Sequence, residues 1–275
     1  MSAAKPEKDS EFLSTLARGL SVLRVFSREH PEMTLSEVAA STSLSPAVAR
    51  RCLHTLLELG YVGKKGKHFL LTPEVMSFAS AFLESMNMEQ VVRPHLQVVR
   101  DRTGDSSSLA VFSDPDVLYL IHVSTNRMVR LAAGIGTRFP AYATSLGRIL
   151  ISQLPENRIS QYLENTELIR FTDKTITDRN RLRQIFMQAR KNDYATIQDE
   201  LDYGIVSLAV PIRAGDGEAL AAINCSTATS RVEPGELLET RLPLLREAAR
   251  EIEIELQRYP ALVHSIRAQS STTSD

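Results

Sequence analysis

The sequence predicts an α+β fold in two parts, a smaller helical part at the N-terminus and a larger part built around an antiparallel sheet. Two patterns support this prediction. Up to about residue 104, apolar residues recur every three or four positions, which is typical of amphipathic helices. From residue 105 onward, short β-rich runs alternate with helical segments and turns. The length of 275 residues also fits two modest domains.

The composition excludes several classes of protein. Hydrophobic residues make up 43% of the chain and charged residues 24%, so the chain can bury a core and is not fully disordered. The net charge of −1 argues against binding of nucleic acid through overall basicity, although a local basic surface is compatible with it. No run approaches the roughly 18 apolar residues of a membrane helix, so we expect a cytoplasmic protein with no membrane partner.

The chain offers little for metal, cofactor or catalytic chemistry. Two cysteines and six scattered histidines predict no metal site and no cofactor. The segment from Gly134 to Gly136 lacks the third glycine of a dinucleotide-binding loop, and neither a Walker A nor a GxSxG motif occurs. Asp199, Glu200 and Asp202 are carboxylates on a turn that we expect to be solvent-exposed. We therefore predict no catalytic residues and no enzymatic activity.

Three helices and a hairpin are predicted in the N-terminal part. Residues 11–27 place apolar side chains along one helical face. Thr34 and Glu37 form a capping-box pattern, which predicts the start of a short second helix. Ser45 is a favoured N-cap for a third helix that Gly60 terminates, and two short β-type segments then flank the turn GKKGKH.

This order of elements is typical of a winged helix-turn-helix DNA-binding domain. The third helix is predicted to bury Val48, Cys52, Leu56 and Leu59 and to expose the opposite face. Residues 45–68 contain five Lys or Arg and one Glu, a local net charge of +4. A solvated helix face beside a solvated turn is the alternative, but the caps, the helix order, the wing and the charge all favour DNA.

The candidate DNA-binding residues lie on the third helix, at its N-terminus and on the wing. Side chains on the exposed helix face would contact base edges or phosphates, the helix N-terminus would contact a phosphate, and the wing lysines would hold the flanking backbone. The candidates are Thr34, Ser45, Ala47, Arg50, Arg51, His54, Lys64, Lys65 and Lys67.

Both parts of the chain resemble domains of a known family. The segments LARGLSVLRVF and TLSEVAASTSLSPAVARRCLHTLLELGYV, with GKHFLLTP, resemble the winged-helix domain of IclR-type bacterial transcription regulators. GTRFPAYATSLGRILIS, NDYATIQDELDYGIVSLAVPIR and ALAAINCS are similar to that family's effector-binding domain, which implies a GAF-like fold. The resemblance covers nearly the whole chain. It implies operator DNA as a partner, a homodimer or a dimer of dimers, and regulation by a small molecule.

One subgroup of the family is especially similar, the regulators of protocatechuate and 4-hydroxybenzoate catabolism. Their pattern RxPAYxTSxGR is matched by Arg138, Pro140, Ala141, Tyr142, Thr144, Ser145, Gly147 and Arg148. The resemblance implies a carboxylic-acid effector of the protocatechuate, 4-hydroxybenzoate or 3-oxoadipate class, and it favours activation of catabolic genes.

The residues also predict a ligand pocket. Because Ser145 lies where a strand-like segment meets a helix, the backbone N–H groups of Ser145 and Leu146 could hold a carboxylate. The resemblance implies Met128, Leu131 and Phe139 as apolar walls. It also implies Ser207, Asn224 and Ser226 as polar contacts. Together, the candidate effector-binding residues are His122, Met128, Arg130, Leu131, Phe139, Tyr142, Ser145, Leu146, Ser207, Asn224 and Ser226, with Arg138 as a further candidate.

Several of these residues have a second interpretation. His122 could be an ordinary core histidine, Met128 and Leu131 could belong to the core, and Arg138 could form a surface ion pair. Strand alternation directs Asn224 and Ser226 to one face, where they belong either to a pocket or to a buried network.

Two positions bear on the ligand. Ile197 and Asn224 differ from family members that bind small keto acids, which argues against a glyoxylate-like ligand.

The predicted boundaries give five segments. The helix that joins the two parts has more apolar surface than one face requires, which predicts a dimer contact, and the small polar C-terminal residues predict disorder. The segments are a disordered N-terminus at 1–10, the winged helix-turn-helix domain at 11–72, a linker helix at 73–86, the effector-binding domain at 87–262 and a disordered tail at 263–275.

The prediction for function is a DNA-binding transcription regulator that senses a small aromatic or dicarboxylic acid and activates aromatic-acid catabolic genes. A repressor of the same fold is one alternative. In another, the region 105–230 docks a protein partner and no metabolite is sensed.

Overall fold

The computed structural model describes residues 11–27, 29–125, 133–232 and 235–272, with side chains up to residue 268. The chain divides into two compact units, residues 1–82 and 83–275. The division falls within helix α4 (Met76–Ser85), which follows a 3-10 turn at Pro73–Val75. This helix occupies most of the segment predicted as the linker.

The first unit combines three helices with a small antiparallel sheet. Its elements in chain order are α1 (Ser14–Arg24), β1 (Glu32–Thr34), α2 (Leu35–Ser41), α3 (Pro46–Glu58), β2 (Val62–Lys65) and β3 (His68–Leu71). The strand order is β1-β3-β2. The three helices and the hairpin agree with the sequence prediction, whereas β1 was not predicted. It has only three residues, and its pairing with β3 joins distant parts of the chain.

In the core of the first unit, the buried face of the third helix differs in part from the predicted one. The buried face of α3 consists of Ala49, Cys52, Leu53 and Leu56, whereas Leu59 is 59% exposed. Leu59 is the C-cap residue of α3, so it no longer follows the helical stripe that faces the core. The apolar stripe is otherwise on the side that the sequence predicts, and the basic face is opposite to it.

The second unit has a six-stranded sheet with helices around it. Its elements are α5 (Met88–Thr103), β4 (Ser106–Ser113), β5 (Asp116–Val123), β6 (Arg138–Pro140), α6 (Ser145–Gln153), α7 (Glu156–Asn165), α8 (Arg179–Asn192), β7 (Ala195–Gln198), β8 (Ile205–Arg213), β9 (Ala219–Ala228), α9 (Leu242–Leu256) and α10 (Pro260–Thr272). The strand order is β6-β5-β4-β9-β8-β7 and every pairing is antiparallel. The predicted α+β fold is therefore confirmed.

Helices cover both faces of this sheet, and every residue of β4 is buried. Helix α6 packs on β7, β8 and β9, and α8 packs on α6. Helix α5 packs on β4 and β5, and α9 packs on β8 and on α5. Residues such as Leu146, Ile149 and Phe186 form a core with small side chains of the sheet, among them Ala209 and Ala222. Small residues on the strands allow α6 to lie close to the sheet.

The predicted disordered tail is wrong for most of its length. Residues 260–272 form α10, which contacts β4, β9 and α9. Leu262 and Ile266 lie one helical turn apart and both are buried. The prediction of disorder relied on the polar composition of the tail and overlooked this short apolar stripe. The predicted disordered segment 1–10 and residues 273–275 lie outside the described residues.

Two helix starts in the second unit have unusual geometry. A π-helical turn at Leu237–Arg241 precedes α9, and Pro243 occupies the first turn of α9, where its missing N–H is tolerated. Asn87 has a positive φ of 54° and makes no side-chain cap, so it forms a left-handed junction between α4 and α5. Gly104 ends α5 in the left-handed conformation.

Within the described residues, no helix is both long enough and apolar enough to cross a membrane. The same part of the chain contains no cluster of three or more His, Cys, Asp or Glu side chains that could hold a metal ion.

Candidate functional site

The exposed face of α3 carries four of the residues predicted to contact DNA. Ala47, Arg50, Arg51 and His54 are all exposed on the side opposite the core. Exposed Ser45 is the N-cap, and its Oγ accepts a hydrogen bond from an N–H group of the first turn. None of the ion pairs between described residues involves Arg50 or Arg51. Both guanidinium groups can therefore meet an external anion.

The wing presents three more positive charges. Lys64 and Lys65 lie on β2 and Lys67 lies in the turn, and all three are exposed. The Lys64 Nζ atom is 5.6 Å from the centre of the Phe69 ring, so this side chain lies along the hairpin. Gly66 has a φ of 62°, a conformation that allows the tight turn between the strands.

Thr34 is engaged within the protein. Its Oγ1 atom accepts the N–H of Glu37, and the Glu37 carboxylate accepts the Thr34 N–H at 2.6 Å and its hydroxyl at 2.8 Å. These hydrogen bonds lower the pKa of the Glu37 carboxyl below its ordinary value. Thr34 is therefore the N-cap of α2 and forms a capping box with Glu37, and its hydroxyl is hydrogen-bonded to Glu37.

The second unit contains a small cavity between α6 and the sheet. Five of the predicted effector-binding residues line it, namely His122, Ser145, Ser207, Asn224 and Ser226. The other lining residues are Ser106, Ser108, Tyr119, Ala133, Thr144, Ile197, Leu201 and Ile205. The described lining contains no Lys, Arg, Asp or Glu side chain; it combines hydroxyl, amide and imidazole groups with apolar side chains.

Strand register explains why these residues meet. Ser108 on β4 lies opposite His122 on β5 and opposite Asn224 on β9. Ser226 on β9 lies opposite Ser106 on β4 and opposite Ser207 on β8. Because alternate residues of a strand share a face, these two cross-strand rows project toward α6.

A hydrogen-bond network connects the floor of the cavity to α6. The Ser145 and Ser207 hydroxyl oxygens are 2.7 Å apart. Asn224 Nδ2 donates to Ser207 Oγ at 3.1 Å, and Asn224 Oδ1 accepts the N–H of Ser108 at 3.0 Å. Asn224 thus combines the two predicted alternatives, since it lines the cavity and belongs to a buried network.

The N-terminus of α6 points two amide groups toward this network. Thr144 is the N-cap, and its Oγ1 atom accepts the N–H of Gly147 at 2.9 Å. Within the described residues, no hydrogen bond uses the N–H groups of Ser145 or Leu146. Free N–H groups and the positive end of the helix dipole favour an anionic ligand group at this position.

Gly147 allows α6 to begin where it does. A Cβ atom on Gly147 would lie 2.1 Å from the carbonyl oxygen of Ala141 and 2.4 Å from its Cα atom. Any side chain would therefore displace the first turn of α6 from the 3-10 turn at Ala141–Ala143.

A buried ion pair fixes α6 to the loop after β7. Arg148 Nη1 donates to Glu200 at 2.6 Å, and the two side chains are only 3% and 8% exposed. Arg148 Nε also donates to the carbonyl of Tyr142 at 2.8 Å. The expectation that Glu200 lies on a solvent-exposed turn is wrong, because Arg148 provides a buried partner for its charge. The next residue in that loop, Leu201, lines the cavity.

Other predicted residues lie outside the cavity. The Tyr142 hydroxyl donates to the carbonyl of Ile169 at 2.7 Å, and the Leu146 side chain is buried in the core. The Phe139 ring packs edge-on against Tyr119, with 5.3 Å between ring centres. Arg138 donates to Ser113 and lies 3.6 Å from Asp116 at the surface. The predicted contacts Met128, Arg130 and Leu131 lie outside the described residues.

His122 is one end of the polar lining. Its Nδ1 atom is 2.9 Å from the Ser108 hydroxyl oxygen. Burial of the ring and the positive charge of Arg93 lower the pKa of His122 below its ordinary value. The imidazole is therefore neutral near pH 7 and offers one donor and one acceptor nitrogen.

The cavity has a volume of about 50 Å³, which is small beside the roughly 300–1,000 Å³ of typical ligand pockets. An open groove of about 530 Å³ adjoins it and shares Ser106, Ile205 and Ser226 as lining residues. A ligand larger than a few atoms can enter only if lining side chains move.

A winged-helix unit with unpaired cations, followed by a unit with a polar ligand cavity, defines the class of ligand-responsive transcription regulators. Residues 15–66 match the IclR helix-turn-helix domain, and residues 80–254 match the bacterial transcriptional regulator IclR C-terminal domain. The chain belongs to the IclR family of bacterial transcriptional regulators, and it is not an enzyme. The resemblance recognised in the sequence is thereby confirmed.

Relatives with established names are similar over most of the chain. The Pca regulon regulatory protein of Pseudomonas putida is 34% identical over 89% of this chain and 84% of its own length. The p-hydroxybenzoate hydroxylase transcriptional activator of Acinetobacter baylyi is 32% identical over 89% of this chain and 92% of its own.

Solved structures show the same fold. A transcriptional regulator from Rhodococcus sp. RHA1 is 38% identical, with a TM-score of 0.75 over 90% of this chain and 99% of that one. An IclR homologue from Microbacterium hydrocarbonoxydans, solved in complex with 4-hydroxybenzoate, is 25% identical, with a TM-score of 0.74 over 89% of this chain and 99% of that one.

Proposed function

We propose that this chain activates the transcription of aromatic-acid catabolic genes when a small carboxylic acid binds in the cavity beneath α6. The observation that carries the proposal is the position of Ser145, Ser207 and Asn224 around the cavity at a helix N-terminus. The names of the Pseudomonas and Acinetobacter relatives support aromatic-acid catabolism, and the second of them supports activation. Repression by the same fold is the alternative.

In this proposal the effector belongs to the protocatechuate, 4-hydroxybenzoate or 3-oxoadipate class. The amide groups of Ser145 and Leu146 bind its carboxylate, as free N–H groups at a helix N-terminus do. Ser207, Asn224 and Ser226 provide further polar contacts on the sheet. The crystallised complex of the Microbacterium homologue with 4-hydroxybenzoate supports this class of ligand.

We propose that α3 enters the major groove of operator DNA. Arg50, Arg51 and His54 contact base edges or phosphates, and Ser45 lies near a phosphate at the helix N-terminus. The wing lysines hold the flanking backbone. Their exposure and their lack of described ion pairs support these roles. Thr34 acts on this surface by capping α2 and does not itself contact DNA.

We propose a homodimer as the functional unit, and a dimer of dimers as its further assembly. The first unit exposes apolar side chains on α1, on the end of α3 and on α4, including Leu16, Leu20, Leu59 and Phe78, around a cleft of about 460 Å³. Large exposed apolar patches mark interaction sites, and paired half-sites increase the specificity of a short recognition helix.

For the domain boundaries, we propose a DNA-binding domain at 11–72, a linker at 73–86 and an effector-binding domain that starts at 87 and extends through α10. We place the protein in the cytoplasm, because its proposed partner is operator DNA.

The proposal is tested by ligand binding to the full chain. Protocatechuate, 4-hydroxybenzoate and 3-oxoadipate are added separately in a thermal-shift assay. At least one is expected to raise the melting temperature in proportion to the logarithm of its concentration, since a ligand that binds only the folded state stabilises it by mass action. The Asn224→Leu variant should lose this shift and keep its affinity for DNA, whereas Asn192→Leu, at the end of α8, should keep both.

Two outcomes contradict the proposal. The absence of a shift with all three acids would favour a regulator that responds to a protein partner. Transcript levels in a deletion strain decide the sign of regulation, because catabolic transcripts that rise after deletion indicate a repressor.

A further inference from the structure

The cavity has two chemically different ends. Ser207 lies on β8 and contacts Ser145 at the N-terminus of α6, whereas His122 lies on β5. The strand order β5-β4-β9-β8 separates His122 from Ser207 by three strand spacings, about 14 Å between the backbones. A small ligand that meets both ends must therefore carry polar groups at opposite ends of an elongated body.

The described lining of the cavity, including its His122 end, has no Lys, Arg, Asp or Glu side chain. Arg93 lies close by, 3.5 Å from the backbone carbonyl of His122. The lowered pKa of His122, caused first by burial and then by Arg93, keeps the ring neutral near pH 7. Arg93 is already paired with Glu89, so a second carboxylate at this end would lose its hydration without a free cation among the described lining residues, which is unfavourable in a buried site.

At the same end, one ring nitrogen of His122 is available for a hydrogen bond to a ligand. The His122 Nδ1 atom is paired with Ser108 Oγ, but no hydrogen bond between described residues uses its other ring nitrogen, Nε2. A neutral imidazole can donate or accept at that atom, and a phenolic hydroxyl can do either in return. Ser108 fixes the ring, because its backbone N–H is held by Asn224 Oδ1 at 3.0 Å.

We infer that His122, oriented by Ser108, is a specificity-determining residue that binds a ring hydroxyl opposite the carboxylate of the effector. This inference rests on the proposed function of the cavity. It assigns the α6 end to the carboxylate and the β5 end to the hydroxyl. The site then selects monoanionic hydroxylated aromatic acids over aromatic acids without the hydroxyl and over dicarboxylates.

The test compares ligands that differ only in the hydroxyl. Isothermal titration calorimetry on the full chain measures the dissociation constants of 4-hydroxybenzoate, 2-hydroxybenzoate and benzoate. The wild-type protein should bind 4-hydroxybenzoate about tenfold more tightly than benzoate, the effect of one hydrogen bond in a buried site. Because its hydroxyl lies beside the carboxylate, 2-hydroxybenzoate should bind no better than benzoate.

Variants then separate recognition from structure. His122→Leu should reduce the preference to within about twofold, because the hydrogen bond to the ligand hydroxyl is lost together with the one between His122 and Ser108, and it should weaken 4-hydroxybenzoate binding more than benzoate binding. His122→Gln, which keeps a hydrogen-bonding group, should restore part of the preference, and Ser108→Ala should weaken it. Ile197→Val, which trims an apolar wall of the same cavity, should change both affinities by the same factor. Circular dichroism checks the fold of each variant.

Several results would overturn the inference. Equal wild-type affinity for benzoate and 4-hydroxybenzoate would do so, as would an unchanged preference in both His122→Leu and Ser108→Ala. Binding of 3-oxoadipate without binding of any ring acid would overturn the inference and leave the proposed function intact. If none of these acids nor protocatechuate binds, both the inference and the proposed function fail.

Discussion

At the scale of single residues, Gly147 determines where the N-terminus of α6 lies, the end that we propose binds the effector. Its Cα faces the backbone of Ala141 so closely that no Cβ can be accommodated. Thr144 caps the same turn, and the next residue along, Arg148, pairs with buried Glu200. Three neighbouring contacts therefore hold the free amides of Ser145 and Leu146 over the cavity.

Gly147→Ala is expected to destabilise the second unit by about 1–3 kcal/mol, the usual effect of overpacking. The added Cβ would lie 2.1 Å from the Ala141 carbonyl oxygen, so α6 must shift. Effector affinity measured by calorimetry should fall, while the DNA affinity of the folded protein should be unchanged.

Gly215→Ala is the matched control, because a Cβ there meets no atom within 4 Å. It should leave stability and effector affinity unchanged. A Gly147→Ala protein with wild-type effector affinity would show that the position of the α6 N-terminus is not critical for binding.

At the scale of elements, helix ends follow from local sequence whereas pairings do not. Ser45, Thr34 and Gly60 mark helix ends correctly, because each signal acts within four residues. Strand β1 was missed, since its only sign is a pairing with β3, a strand that follows much later in the chain. The burial of Glu200 depends on Arg148, which is also distant in sequence.

The same distinction applies to the ligand cavity. Ser207, Asn224 and Ser226 were predicted from the family resemblance, and they do line the cavity. Ser106 and Ser108 were missed, because their position depends on the register of β4 with β5 and β9. A run of serines that opens an otherwise apolar strand is the sequence signal that could have identified them, since buried hydroxyls need partners.

The second prediction concerns the start of α2. Thr34→Ala removes the side chain that caps this helix and should lower the free energy of unfolding of the first unit by about 1 kcal/mol. Thr34→Ser retains the hydroxyl and should be nearly neutral. Chemical denaturation followed by circular dichroism measures both.

DNA affinity separates the two roles considered for Thr34. With both variants folded, anisotropy measurements on operator DNA should give the wild-type dissociation constant. A weaker affinity of Thr34→Ala, measured without denaturant and well below its melting temperature, would instead indicate that Thr34 touches DNA directly.

At the scale of the whole molecule, charge is unevenly distributed. The net charge is −1, yet residues 45–68 carry +4, so the rest of the chain carries −5. The exposed cations of α3 and the wing concentrate this charge on one surface. Such a protein should bind its own site well and bulk DNA weakly at physiological salt.

The third prediction follows from this distribution. Replacing Lys64, Lys65 and Lys67 by Ala should weaken binding to operator and random DNA by similar factors, because phosphate contacts do not read sequence. The slope of log affinity against log salt should decrease by about 1 for each phosphate that no longer meets a lysine. Fluorescence anisotropy at a series of salt concentrations measures the slope. Lys174→Ala, in the second unit, is the control and should change neither the DNA affinity nor the salt slope. If the triple variant binds operator DNA more weakly but random DNA as before, the assignment of the wing lysines to phosphates is wrong.

The small volume of the cavity beneath α6 has a consequence for the rate of the proposed response. A cavity of about 50 Å³ cannot admit an aromatic ring until some of its lining side chains move, so association of the proposed effector should be slower than diffusional encounter. Acids of similar size should share this opening step and differ mainly in how long they stay bound. For an effector that binds as proposed, the residence time in the cavity should then set how long the transcriptional response lasts after the acid is exhausted.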